Sequence, residues 1–195
     1  MKIRNPWKLV ESGEPFSCPY FTIRSDVVSY NGGARRPYSS VRMRLHGVAV
    51  LPVDSQGCVT LVGQYRYVLD HYSWELPGGG RPVEKKAITA AQHELREETG
   101  IVAGRWLRLF ATAVAPGTLD EITTAFVAWD LSFGDSHPDV TEELAIRKVP
   151  FAEAVSMALR GSLGHVTSVA AVLAVHSRLL RGELPPDLAA LLSGK

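Results

Sequence analysis

The chain has 195 residues, 21 Lys+Arg against 20 Asp+Glu, and a formal net charge of +1. Hydrophobic residues make up 46%, enough to bury a core in one domain or one domain plus an extension, and too many for a disordered chain. The balanced charge excludes a general nucleic-acid binder, and no run of about 18 apolar residues exists to span a membrane. Two cysteines, Cys18 and Cys58, are too few for a disulfide framework, and Met1–Ser12 is polar without an apolar signal core. A reduced, cytoplasmic setting is the expectation.

In chain order, residues 20–30 are rich in β-branched and aromatic residues and read as a strand closed by Asn31-Gly32-Gly33. Residues 39–53 read as one strand, with Val41, Met43 and Leu45 on one face and Arg42 and Arg44 on the other. Asp54-Ser55-Gln56-Gly57 reads as a hairpin turn, 58–68 as the return strand, and 73–76 as a short strand running into Pro77-Gly78-Gly79-Gly80. A helix is expected over 86–99, with Ile88, Ala91 and Leu95 in helical spacing and Gly100 as its stop. Strands over 106–115 and 121–131 flank Pro116-Gly117, which fits a type II turn. A strand over 144–149, helices over 151–159 and 166–180, and a short tail with at most one helical turn complete the reading. Mixed strands with segregated helices predict an α+β fold of α/β/α sandwich type, with residues 1–45 as a separate small antiparallel sheet.

Glu94, Glu97 and Glu98 stand at i, i+3 and i+4, so three carboxylates share one helix face. Like charges at that spacing repel, and the last turn of a helix disfavours anions. The face is either a solvated one balanced by Arg96 and His93 or a site for a hard divalent cation. Mg²⁺ characteristically takes one or two carboxylates plus substrate phosphates. The glycine run just before the helix lets backbone approach such a site closely.

Gly79-x5-Lys85-x7-His93-Glu94-Leu95-Arg96-Glu97-Glu98-Thr99-Gly100-Ile101 resembles the Nudix box, G-x5-E-x7-R-E-U-x-E-E-x-G-U, where U is aliphatic. Lys85 and His93 depart from it, standing where the family has Glu and Arg. The resemblance implies a Nudix-type α/β/α sandwich with metal, Mg²⁺ or Mn²⁺, held by Glu94, Glu97, Glu98 and a backbone carbonyl of Gly78 or Gly79. His93 can hydrogen-bond Glu97 four residues on.

Outside the box, Gln64-Tyr65-Arg66, Trp74-Glu75-Leu76-Pro77-Gly78-Gly79 and Pro116-Gly117-Thr118-Leu119-Asp120-Glu121 are similar to segments of the ADP-ribose pyrophosphatase branch. So are Thr141-Glu142-Glu143-Leu144 and Val149-Pro150-Phe151. The likeness covers roughly residues 21–180. It implies hydrolysis of a nucleoside diphosphate derivative such as ADP-ribose to AMP and a sugar phosphate, by a homodimer whose residues 1–45 help build the partner's site. The catalytic domain is then 46–182 and the tail 183–195. Implied substrate contacts are Trp74, Pro116 and Glu121, although Trp74 equally fits a core position. Pyrophosphate needs arginine forks, for which Arg35, Arg36, Arg42, Arg44 and Arg66 are candidates, Arg66 first. The general base is Glu97, Glu142 or Glu143. His46, His71, His165 and His176 show no ligand spacing and receive no role. A sugar nucleotide, a dinucleotide, a nucleoside triphosphate, or a non-catalytic binding role are the competing readings.

Overall fold

Residues 4–136 and 143–193 are described by the computed structural model. The chain opens with three antiparallel strands, β1 (Trp7–Ser17), β2 (Phe21–Tyr30) and β3 (Arg35–Met43), in the order β1-β2-β3. β1 has no counterpart in the sequence reading. It is an edge strand exposed at nearly every position, and two register shifts interrupt its pairing, so no apolar alternation marks it. The β2–β3 turn is marked clearly: Asn31 and Gly32 both take positive φ, 48° and 72°, as a type I′ hairpin requires.

The expected single strand over 39–53 is two strands. β3 ends at Met43 and β4 (Leu45–Pro52) enters a different sheet. Between them the Arg44 amide donates to the Tyr20 carbonyl at 2.9 Å, which turns the chain out of the N-terminal sheet. The body then holds two sheets. One has the order β7-β4-β9-β8, from β7 (Gly80–Pro82), β8 (Ile101–Ala113) and β9 (Ile122–Phe133), with β4 and β9 parallel. The other is β10-β5-β6, from β5 (Cys58–Arg66), β6 (His71–Glu75) and β10 (Ala145–Pro150).

The two faces of β4 explain the layers. Val48 and Val50 pack with Ala91 and Leu95 of α1 (Ala87–Thr99). Leu51 and Val53 face the other way, into a core shared with Ala171, Val172 and Val175 of α3 (Val166–Leu180) and with α2 (Phe151–Leu159). Strands buried on both faces lose their alternation, which is why β4 and β9 read as continuous apolar runs. The result is the α+β sandwich that the sequence predicts. No helix among the described residues is long and apolar enough to cross a membrane.

The last segment is more ordered than one helical turn. α4 (Pro186–Ser193) is eight residues long, with Leu188 fully buried and Leu184 nearly so in the main core. Asp187 accepts hydrogen bonds from Trp129 Nε1 at 2.5 Å and from Arg105 Nη1 at 2.8 Å, which pin α4 against β8 and β9. Pro185-Pro186 reads as a breaker, yet a proline is pre-organised for the first position of a helix.

Candidate active site

α1 ends at Gly100, whose φ of 69° is left-handed and whose amide caps the Arg96 carbonyl at 2.8 Å. Burying Ala91 and Leu95 orients the helix so that Glu94 and Glu98 meet the glycine loop. Glu98 is 4% exposed and accepts the Gly78 amide at 2.9 Å. The Glu94 carboxylate fills the space where a side chain on Gly79 would go, since a Cβ there would lie 2.6 Å from its Oε2. A Cβ on Gly78 would lie 2.1 Å from the Val48 carbonyl oxygen. Gly78 is therefore required by the close approach of the β4 backbone, whereas Gly79 lies against the tip of the flexible Glu94 side chain.

The loop continues the pairing of β7 with β4. Val48 donates to the Gly79 carbonyl at 2.9 Å and Val50 to the Pro77 carbonyl at 2.8 Å. Of the two carbonyls the resemblance left open, Gly79's accepts the Val48 amide, while the Gly78 amide reaches Glu98.

Glu97 points to a different neighbour. Its Oε2 lies 2.9 Å from Nδ1 of His93, the i,i+4 contact the sequence suggests. Lys85, the other departure from the box, is exposed at the turn into α1, where its carbonyl accepts from Arg81 Nη1 at 2.6 Å. Among the described residues no three His, Cys, Asp or Glu side chains are gathered closely enough to hold a metal ion. The donor chemistry nevertheless fits one: the carboxylates of Glu94 and Glu98, both set against a loop that lacks side chains, are hard oxygen donors.

A cleft of about 230 Å³ opens beside the loop, lined by Arg66, Glu75, Gly78, Glu121, Thr123 and His165 among others. Arg66 is bound in two-pronged fashion to Glu75, with Nε to Oε1 at 2.9 Å and Nη2 to Oε2 at 2.7 Å. Burial pushes the Glu75 carboxyl up, but hydrogen bonding from Arg66 and Ser73 together with the nearby positive charge outweighs it, and its pKa lies below the ordinary carboxylate value. The Thr123 hydroxyl is buried and has no hydrogen-bond partner among the described residues. A larger hollow of about 620 Å³ runs along the outer flank of α1 past His93, Arg96, Glu97 and Trp106. It touches the acidic helix but not the glycine loop.

Arg66 and Glu121 thus share the cleft with Gly78, and three other expected contacts lie elsewhere. Trp74 projects from the opposite face of β6 to Glu75, packs against the core and Tyr72, and carries the Arg147 guanidinium 5.8 Å above its ring. Arg44, between β3 and β4, donates to Ser17 Oγ of β1 at 2.9 Å and is thereby tied to the N-terminal sheet. Pro116 lies in a loop docked on β3, where Val41 donates to the Thr118 carbonyl at 2.8 Å and Met43 to Asp120 Oδ1 at 2.7 Å. The turn there is not type II, because Gly117 lacks the positive φ that type requires. Thr118 and Leu119 both donate to the Ala115 carbonyl, closing a single helix-like turn that presents the loop to β3. Glu143 is exposed just before β10, and Glu142 lies outside the described residues. The sequence reading assigned no role to Glu75, Thr123 or His165. Only the packing of β6, β9 and the α2–α3 junction brings them together.

A Nudix-domain family model matches residues 43–171 of the chain. The chain belongs to the Nudix family. This Nudix chain is a pyrophosphohydrolase, and two relatives are ADP-ribose pyrophosphatases. That of Mycobacterium tuberculosis is 35% identical over 162 residues, 80% of this chain and 77% of that one. That of Bacillus subtilis is 31% identical over 121 residues, 62% of each chain. A methanol dehydrogenase activator of Bacillus methanolicus is 28% identical, covering 70% of this chain and 73% of that one. A crystal structure of an ADP compounds hydrolase shares the fold, with a TM-score of 0.81 at 22% identity over 94% of this chain and 100% of that one.

Proposed function

We propose that this Nudix hydrolase cleaves ADP-ribose to AMP and ribose 5-phosphate with Mg²⁺ or Mn²⁺. The observation that carries the reading is the union of Glu98 with the Gly78 amide, which brings an acidic helix and a side-chain-free loop to the edge of a cleft holding an arginine. The two pyrophosphatase relatives support the choice of substrate. Glu94, Glu98, the Gly78 carbonyl and, with rotation away from His93, Glu97 are the groups that would hold divalent metal. Such metal neutralises a pyrophosphate and lowers the pKa of an attacking water.

Around it this chain's residues bind and orient. Arg66 offers a guanidinium to a phosphate oxygen, and Glu121 and Thr123 face the same cleft from β9 and its approach. A water adds to one phosphorus, its proton passing to a carboxylate, and the bridging oxygen leaves with the other phosphate. Glu97, Glu142 and Glu143 are the candidate bases. The test is a panel of ADP-ribose, a sugar nucleotide, a dinucleotide and a nucleoside triphosphate with each metal, read by product formation. AMP from ADP-ribose at the highest kcat/KM is the expected result. Preference for another compound replaces the substrate, and binding without turnover of any reduces the chain to a binding module.

Residues 1–45 are proposed to form a homodimer around the catalytic domain of 46–182, in a cytoplasmic setting. Trp7, Leu9, Phe16 and Tyr30 are 42%, 53%, 50% and 46% exposed on the N-terminal sheet, apolar side chains that a partner copy would cover. Sedimentation velocity at micromolar concentration is expected to give twice the chain mass, and a monomer alone would sink the proposal.

A further inference from the structure

The cleft wall holds a buried carboxylate that the chemistry above does not use. We propose that Glu75 is a positioning residue, whose carboxylate fixes the Arg66 guanidinium so that it faces a phosphate of the bound nucleoside diphosphate derivative. The inference rests on reading Arg66 as a phosphate-binding group.

Arg66 is the last residue of β5, at the mouth of a hairpin whose tip is open: Tyr67 and Val68 are 93% and 91% exposed. An arginine there would sample many rotamers and lose that freedom on binding an anion. Bonds from both Nε and Nη2 to the two oxygens of Glu75 fix the plane of the guanidinium before any ligand arrives. The partners are unequally placed. The Glu75 side chain is 7% exposed and that of Arg66 40%, so the pair turns its cation, not its anion, toward solvent and the cleft.

Glu75 is itself held. Neighbouring Trp74 accepts the Gly164 amide through its carbonyl at 3.1 Å, and Leu76 donates to the buried Ser168 Oγ at 3.0 Å. Both bonds come from the α2–α3 junction. Two residues beyond Leu76, the same backbone reaches Gly78 and Glu98. One short segment therefore sets the positions of both the guanidinium and the acidic helix. Stability alone is a poor account of the pair, since an ion pair with its cation turned to solvent contributes little to folding.

The experiment uses the full chain and the variants Glu75→Gln, Arg66→Ala and the double variant. It measures kcat and KM with Mg²⁺ on the best substrate of the panel, dissociation constants for inorganic pyrophosphate, and thermal midpoints. Arg66→Ala is expected to raise KM and the pyrophosphate constant about tenfold or more, as loss of a charged hydrogen bond does. Glu75→Gln is expected to raise both by a similar factor, with kcat within about threefold. The double variant should be no worse than Arg66→Ala, because without the arginine there is nothing to position. If Glu75→Gln does not fold, Glu75→Asp, which keeps the charge but withdraws it, should show the same rise in KM. Unchanged constants for a folded Glu75 variant, beside a raised one for Arg66→Ala, overturn the inference, as do additive effects. Unchanged constants for Arg66→Ala overturn instead the reading of Arg66, and with it the inference. A different best substrate touches only the choice of ADP-ribose.

Discussion

Replacing Glu98 by glutamine is expected to lower kcat with Mg²⁺ by at least about 10²-fold while leaving the chain folded, because a metal contributes several kcal/mol of transition-state stabilisation. The change is nearly isosteric. A glutamine amide oxygen can still accept the Gly78 amide, which Glu98 now holds at 2.9 Å, so the loop keeps its anchor. What is lost is a negative charge at a site 4% exposed, where water cannot replace it. Steady-state kinetics over a Mg²⁺ titration, beside a thermal melt of the same sample, separates the two effects. Near-full activity at ordinary Mg²⁺ would remove Glu98 from the metal-binding set.

Leu188→Ala is expected to destabilise the chain by about 2–5 kcal/mol, the usual cost of truncating a buried leucine. Leu188 is fully buried, in a core shared with α3 and β9. For a domain of this size each kcal/mol moves the thermal midpoint by roughly 2–4 °C. A tail lying on the surface would respond within about 0.5 kcal/mol. Thermal and denaturant unfolding of the variant decide between them, and a midpoint equal to wild type would show that α4 adds nothing to the core.

That contrast shows where the sequence was legible. The helix carrying Glu94, Glu97 and Glu98 is marked by its apolar spacing and its terminal glycine, and α1 runs from Ala87 to Thr99 accordingly. α2 and α3 follow their apolar content to the residue. β1 was not legible, since an exposed edge strand needs no apolar face, and α4 was hidden behind two prolines. The same limit governs the site. The acidic face and the glycine loop are local patterns and could be read directly. The Arg66–Glu75 pair depends on how β5 and β6 register across an exposed hairpin, with Val62 rather than Arg66 opposite Glu75 in the ladder. The side on which Trp74 emerges depends on which sheet face is covered, and the docking of Asp120 on Met43 joins segments 77 residues apart. None of these is encoded in a short window of residues.

The bond between the Gly78 amide and Glu98 makes one proton of the backbone a spectroscopic witness. Its resonance senses the carboxylate directly, because the hydrogen bond joins them at 2.9 Å with only 4% of Glu98 exposed to solvent. Any cation that settles on Glu98 draws electron density from the acceptor of that bond. The neighbouring ladder to β4 holds the glycine in place meanwhile, through the Val48 and Val50 amides. A single amide signal thus separates events at the carboxylate from motion of the loop, without a label and without turnover.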